Sequence, residues 1–242
     1  MYELPLRIRY SEIDPDGYLS ITGLMNILQD CASMHSEDIG YGLSYLRKNG
    51  LGWYVISWQI HIMRMPFLGE HITVKTAAES FRSFMTERCL VLEDENGQEL
   101  VRVHSIWVLM NLKKGVPSKC DPAMVTAYGT EGPIEGDWKG RKLSMEQEGE
   151  EQFRFMVSPV MIDTNHHLNN SWYVSGAAAA LPADFSVGSI FAEYKTQAKR
   201  GDEILVSSYY SEEDPSWHMA LHSEDGTVYS IVEFYEKKAE QI

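Results

Sequence analysis

The sequence has no run of roughly 18 consecutive apolar residues, the length that a membrane-spanning helix needs. Its first residues, Met1-Tyr-Glu-Leu-Pro-Leu-Arg7, lack the basic start and apolar stretch of a secretion signal, so a cytoplasmic protein without a membrane span is expected. Cysteine is scarce. Cys31, Cys89 and Cys120 are widely spaced and form no Cys-x-x-Cys pair, so they read as reduced thiols rather than as a disulfide framework or a zinc site. Positive charge is also short: 21 Lys and Arg stand against 35 Asp and Glu, a formal net charge of -14. An average field of that sign repels phosphates and excludes nonspecific nucleic-acid binding. An acidic protein partner would need a local basic patch.

With 242 residues and 44% hydrophobic content, the chain can build one large core or two fused domains of about 100 residues each. Short strand-like stretches dominate the first half: Tyr54–Met63, His71–Ala78, Met85–Glu93 and Leu100–Met110, with hairpin turn chemistry at Asp94-Glu-Asn-Gly97. Ahead of them, Leu24, Ile27, Leu28 and Cys31 recur at the spacing of one helical face. The same order returns later. An extended Phe153–Met161 precedes a helix from about Asn170 to Leu181, then strands near Ser189–Lys195, Glu203–Tyr210, Trp217–His222 and Val228–Tyr235, with Asp225-Gly226 as a further hairpin turn.

Direct alignment supports an internal duplication. Ile13-Asp14-Pro-Asp16-Gly-Tyr18-Leu19 matches Ile162-Asp163-Thr-Asn165-His-His167-Leu168, and Gly69-Glu-His-Ile72 matches Gly201-Asp-Glu-Ile204. Between the halves, Lys113–Glu150 is rich in Gly, Pro and charge and reads as an exposed connection. The expected organisation is therefore an N-terminal domain at 1–130, a linker at 131–149 and a C-terminal domain at 150–242. A helix followed by an antiparallel sheet, twice over, implies that each sheet wraps its helix, because a lone meander leaves an apolar face wet.

That α+β architecture is the tandem double hotdog, and at this point the sequence resembles the acyl-acyl carrier protein thioesterase family. The likeness is carried in the first half by Ile8-Arg-Tyr-Ser-Glu-Ile13, Leu24-Met-Asn-Ile-Leu-Gln-Asp-Cys-Ala32 and Ser105-Ile-Trp-Val-Leu-Met-Asn111. In the second half it is carried by Asp163-Thr-Asn165-His-His167-Leu-Asn169-Asn170-Ser-Trp-Tyr173, which matches a family motif Asp-x-Asn-x-His-x-Asn-Asn-x-x-Tyr. The resemblance implies a catalytic C-terminal hotdog, an N-terminal hotdog that shapes the acyl pocket, and fatty acyl chains carried on acyl carrier protein as substrates. The chain departs from the family in one place. Where the family puts a Glu, and in plant members a following Cys, after a Glu/Asp-Tyr pair, this chain runs Glu193-Tyr194-Lys-Thr-Gln197-Ala198. A cysteine nucleophile is absent there, and an amide that cannot take up a proton at neutral pH replaces the glutamate.

Asp163, Asn165 and His167 are spaced i, i+2, i+4, so an extended segment would turn all three to one side. Thioester hydrolysis requires an activated water and a stabilised oxyanion, and an acid, an amide, an imidazole and the amides of a helix N-terminus can supply both without metal or cofactor. His167 is the expected general base, since an imidazole titrates near neutrality. Asn165 is expected to hold the water or polarise the carbonyl, Asp163 to orient the imidazole or the Asn165 amide, and Gln197 to position. The same residues also read as a turn and cap, with Asn169 or Asn170 as N-cap and His166 facing solvent. In the first half Asp14 and Asp16 occupy the matching places but Tyr18 replaces the histidine, so that half is expected to be catalytically silent.

Small residues at Gly176-Ala-Ala-Ala-Ala180 read as a site of close packing, with room for an acyl chain as the alternative, and Trp53–Trp58 with Ile60–Met65 as core, with acyl-pocket lining as the alternative, only alternate residues facing inward. Basic clusters at Lys113-Lys114 with Lys119, at Lys139 with Arg141-Lys142, and at Lys195 with Lys199-Arg200 are candidates for docking the acidic carrier protein, the last being favoured. Competing readings are an acyl-coenzyme A thioesterase, a dehydratase, or a catalytically weak acyl-thioester binder, since hotdog folds host all of these. A monomer or homodimer is expected, because a tandem duplication already supplies two hotdogs.

Overall fold

The computed structural model describes residues 1–237. The first unit comprises residues 1–56 and 63–138, and the second comprises residues 57–62 and, among the described residues, 139–237. In chain order the first unit holds β1 (Tyr2–Arg7), α1 (Ile21–Asp38), α2 (Leu43–Asn49), the start of β2 (Leu51–Ile62), β3 (His71–Arg82), β4 (Met85–Asp94), β5 (Glu99–Asn111), a short β6 (Val116–Pro117) and α3 (Pro122–Tyr128). The second holds the end of β2, then β7 (Glu150–Met156), α4 (Asn170–Ala178), β8 (Val187–Tyr194), β9 (Glu203–Ser211), β10 (Ser216–His222) and β11 (Val228–Glu236). No helix among the described residues is long and apolar enough to cross a membrane.

In the first unit the sheet runs β1-β3-β4-β5-β2, with β6 on β5. Strand β1 is an edge: it pairs with β3 and carries Pro5, whose missing N–H is harmless there. Helix α1 starts at Ser20, whose hydroxyl accepts from Gly23 N at 3.0 Å, and buries Leu24, Ile27, Leu28 and Cys31 toward β3. Those four are the residues that the helical spacing picks out, and each fully buried Leu or Ile contributes on the order of 2 kcal/mol. Gly23 is required at the helix start, because a Cβ there would strike the Glu12 carbonyl oxygen.

In the second unit residues 57–61 of β2 pair with β8, and the order continues through β11, β10 and β9 to β7, all antiparallel. Helix α4 packs on β10 and β11. Its small residues serve close packing: a Cβ on Gly176 would lie 3.0 Å from the Phe155 ring.

The fold is the α+β tandem hotdog, with four differences from expectation. Strand β7 ends at Met156 instead of running on to Met161, because Pro159 opens a single helical turn at Pro159–Met161. Helix α4 has only nine residues and ends at Ala178, because Ala179–Leu181 turn down toward Pro182. The stretch 57–60 of β2 is buried at four consecutive positions, so alternation fails there. One reason is that Gln59 is covered by the chain at Lys139, with which its side chain exchanges two 2.7 Å hydrogen bonds. Lastly, Lys113–Glu150 is not simply an exposed connection. Asp121 caps α3, one turn of which sends Met124 and Tyr128 into a cluster with Ala78 and Leu109, and the Tyr128 hydroxyl donates to Ser36 Oγ at 2.7 Å. Further on, Leu143 N donates to the buried Glu193 carboxylate at 2.8 Å, which fastens this stretch along β8.

Candidate active site

The motif Asp163–Leu168 is a closed turn, not an extended segment. Ile162 and Leu168 form a bridge, Asp163 N donates to His167 O at 2.8 Å, and His166 N donates to Asp163 O at 3.1 Å. The Asp163 carboxylate closes the loop from inside: its Oδ1 accepts from Asn165 N at 2.8 Å and His167 N at 3.1 Å. A carboxylate one methylene from its own backbone satisfies two amides that strand pairing would otherwise have to serve, and this displaces the extended form. His166 takes the left-handed conformation that the turn needs, φ +64°, and faces solvent, which leaves His167 half-buried on the inner side.

The turn leads directly into α4. Asn169 is the N-cap: its Oδ1 accepts from Ser171 N at 3.1 Å, and its carbonyl accepts from Trp172 N at 3.0 Å. Two of the first amides of α4 are thus already occupied by Asn169, which corrects the expectation that they await an oxyanion.

The second wall is the segment that leaves β8. Leu168 N donates to Ala198 O at 2.9 Å, and Ala198 N donates to the Tyr173 hydroxyl at 2.8 Å. The neighbouring Tyr194 hydroxyl donates to Asn170 O at 3.1 Å, and the two tyrosine rings meet edge to face at 5.5 Å. Gln197 is exposed on this segment, one residue before the buried Ala198, and Lys199 follows, its N–H held by Asp202 Oδ2 at 2.8 Å. Asp163, Asn165 and His167 therefore share one loop, and the Ala198 peptide brings the segment bearing Gln197 and Lys199 to its exit.

Burial pushes the His167 imidazole below the ordinary histidine range; Asp163 opposes this, and Lys199 and His166 reinforce it. The ring is consequently neutral at neutral pH and able to accept a proton. Asp163 acts on it through charge, while its Oδ1 serves backbone amides. In the favoured basic cluster all three cations are exposed, but Lys195 Nζ is engaged by Glu193 at 2.6 Å and by Leu143 O at 2.9 Å. Sequence alone gives Tyr173, Tyr194 and Asp202 no role, although Tyr173 stands in the motif itself. Among the described residues no group of three or more His, Cys, Asp or Glu could hold a metal ion. A groove of about 250 Å³ lined by Phe185, Tyr210 and Trp217 includes none of the candidate residues.

The first unit builds the same loop with other side chains. Ile13 bridges Leu19, Asp14 N donates to Tyr18 O at 2.8 Å, and Asp14 Oδ1 accepts from Asp16 N and Tyr18 N, each at 3.0 Å. Leu19 N donates to Pro66 O at 2.8 Å, as Leu168 does to Ala198, and Phe67 N is held by Glu70 as Lys199 N is by Asp202. The correspondence pairs Tyr18 with His167, Phe67 with Lys199, Met65 with Gln197, Leu24 with Tyr173, and Pro66 with Ala198.

A family model described as the acyl-ACP thioesterase N-terminal domain, where ACP is acyl carrier protein, matches residues 1–128. A chloroplastic acyl-acyl carrier protein hydrolase of Cuphea viscosissima is 29% identical over 218 residues, 83% of this chain and 52% of that protein. The chain thus spans about half the length of the plant relatives it matches. A Lactobacillus plantarum crystal structure described as an oleoyl thioesterase superposes with a TM-score of 0.87 at 25% identity, covering 96% of this chain and 94% of that one. An acyl-ACP thioesterase from Bacteroides thetaiotaomicron shares the fold, with a TM-score of 0.86 at 21% identity over 97% of each chain.

Proposed function

The chain belongs to the acyl-ACP thioesterase family, and from that premise we propose that it hydrolyses fatty acyl-acyl carrier protein thioesters to free fatty acid and carrier protein. The observation that carries the proposal is a half-buried imidazole held neutral beside a loop exit, in the half whose sequence matches the family's histidine motif.

In the proposed reaction His167 removes a proton from water as the water oxygen bonds to the thioester carbonyl carbon. The carbonyl oxygen becomes an oxyanion, and the side-chain amide of Asn165, with that of Gln197, is suited to donate to it. Collapse breaks the carbon–sulfur bond, and the imidazolium returns its proton to the departing sulfur. Water supplies the second oxygen of the acid, so atoms and protons balance. The first unit, with Tyr18 at the histidine position, contributes no base.

Lys199 and Arg200 are proposed to meet the acidic carrier protein. They are exposed on a chain with a net charge of -14, and they border the segment that faces His167. Such a patch acts mainly on encounter and register.

The test is release of free thiol from matched acyl-carrier-protein and acyl-coenzyme A thioesters. Preference for the first supports the proposal, and preference for the second transfers the activity to coenzyme A substrates. Reversing charge at Lys199 and Arg200 should raise KM for the carrier-protein substrate more than for a small thioester, with the difference shrinking in high salt. Gln197 in place of a carboxylate favours a second reading, an acyl-thioester binder with weak turnover; tight binding without thiol release would establish it.

A further inference from the structure

The bond between Ala198 N and the Tyr173 hydroxyl belongs to one half only. In the first unit the position of Tyr173 is taken by Leu24, which has no hydroxyl, and the position of Ala198 by Pro66, which has no N–H. Donor and acceptor are missing together. Yet that unit closes the same loop, keeps the matching bond from Leu19 N to Pro66 O at 2.8 Å, and starts its helix from an equivalent cap. The architecture therefore does not need the Tyr173 bond in order to fold.

We infer that Tyr173 is a positioning residue: its hydroxyl clamps the Ala198 peptide against α4 and so fixes Gln197 and Lys199 relative to His167. The peptide is held on both sides, its carbonyl by Leu168 N at 2.9 Å and the Ala198 N–H by the phenol at 2.8 Å. Leu168 directly follows His167, so one edge of the clamp is the histidine loop itself. Tyr173 is 3% exposed and Ala198 fully buried, so water does not substitute for the bond. Tyr194, whose counterpart in the first unit is Ile62, steadies the phenol by its edge-to-face contact and by its own bond to Asn170 O.

The kinetic consequence rests on the hydrolase reading; the geometric one does not. Tyr173→Phe keeps the ring and deletes the hydroxyl. Turnover of a small acyl thioester, which does not call on Lys199 for docking, should fall about tenfold or more with KM nearly unchanged, the scale of a small misplacement of reacting groups. By NMR, the His167 ring should titrate higher than in the wild type. The groups that act on it are Asp163 and His166 in its own loop and Lys199 on the clamped segment, and releasing Lys199 removes a cation that disfavours the protonated ring. Ala198→Pro installs the first unit's residue and deletes the donor instead, so it should produce the same shift even if one variant folds poorly. The double variant should be no worse than the worse single one. A His167 titration that stays put in both single variants overturns the inference whatever happens to the rate. A wild-type protein that releases no thiol, while its His167 titration responds to Tyr173→Phe, leaves the clamp standing and removes the hydrolase reading.

Discussion

The loops Ile13–Leu19 and Ile162–Leu168 share their bridge, their aspartate clip and their tie to the segment leaving the neighbouring strand, but not what they carry. In the first, Tyr18 meets Phe67 edge to face at 5.3 Å, an aromatic pair with no imidazole. In the second, the same two places hold His167 and Lys199. The comparison separates scaffold from chemistry within one chain. Asp14 closes its loop with no imidazole to serve, so the carboxylate at this position is structural first, and Asp163 follows the same pattern. The features confined to the second loop are His167, Asn165, Gln197, Lys199 and the Tyr173–Ala198 bond, and these are where function is to be sought.

The largest expected effect tests that division directly. His167→Ala should lower turnover about a hundredfold or more, the usual scale for loss of a general base. Gln197→Ala should cost less, because an exposed amide adds to positioning without taking the proton. Thiol release under saturating substrate measures both. The wild-type rate should fall only as pH drops below the ordinary histidine range, since burial lowers the His167 pKa and the protonated ring cannot accept a proton from water. If His167→Ala is nearly silent while Gln197→Glu raises turnover strongly, the base belongs at position 197 and the histidine loop is scaffold in both halves.

A second contrast lies in where each unit responds to acid. In the first unit His35 is buried, stacks on Tyr2 at 5.1 Å, and has Nδ1 3.2 Å from the buried Arg88 guanidinium. Burial, then Arg88 and the N-terminal amine, push its pKa down to about 4, against a smaller opposing pull from Asp38 and Glu131. A histidine whose folded pKa lies below its unfolded value binds more protons unfolded. Its contribution is therefore complete above about 6.5 and is lost as pH falls toward about 4. The loss should reach on the order of 2–3 kcal/mol. Urea midpoints between pH 7 and 4 measure it, and His35→Gln should flatten the dependence. An unchanged slope in that variant would assign acid sensitivity elsewhere.

Much of the architecture is legible in the sequence because it follows from periodicity and turn chemistry. Strand-like runs bounded by turn residues mark β3 to β5 and β8 to β11, although β4, β9 and β11 are buried at five or six consecutive positions rather than alternately. Asp94 does at its hairpin what Asp-x-Asn-Gly promises, its Oδ1 accepting from Asn96 N and Gln98 N at 2.9 Å each. What stays hidden depends on distant partners. Nothing local shows that Lys139 will cover Gln59, or that Met124 and Tyr128, isolated in a Gly- and Pro-rich stretch, will find Ala78 and Leu109. The site divides the same way. Its residues stand in the motif, but their conformation depends on Asp163 bonding to its own backbone, and the role of Tyr173 depends on Ala198, 25 residues away.

The aspartate clips give a third test, of intermediate size. If both carboxylates are structural first, Asp14→Ala and Asp163→Ala should each cost about 1–2 kcal/mol, since each leaves two loop amides without their acceptor. Asp163→Asn keeps an oxygen for those amides and removes only the charge. It should retain turnover within a few-fold and lower the His167 titration further, because the carboxylate is the group that favours the protonated ring. Loss of turnover in Asp163→Asn as severe as in His167→Ala would make the charge itself essential and break the parallel with Asp14.

The smallest expected effect comes from making the silent loop resemble the other. Tyr18→His with Phe67→Lys puts the imidazole and the ammonium into a turn whose backbone bonds already match those around His167. The cost to stability should be under about 1 kcal/mol, because the aromatic pair that is lost is worth little when its rings are 46% and 48% exposed. In a His167→Ala background this graft should restore no hydrolysis. Leu24 offers no hydroxyl and Pro66 no N–H, so the segment after β2 is not clamped, and Met65 stands where the second loop has Gln197. A histidine on the right backbone would then lack both its positioned cation and its amide. Recovery of even a tenth of wild-type thiol release would show that the loop and the imidazole suffice, and that the differences at 24, 65 and 66 carry no chemistry.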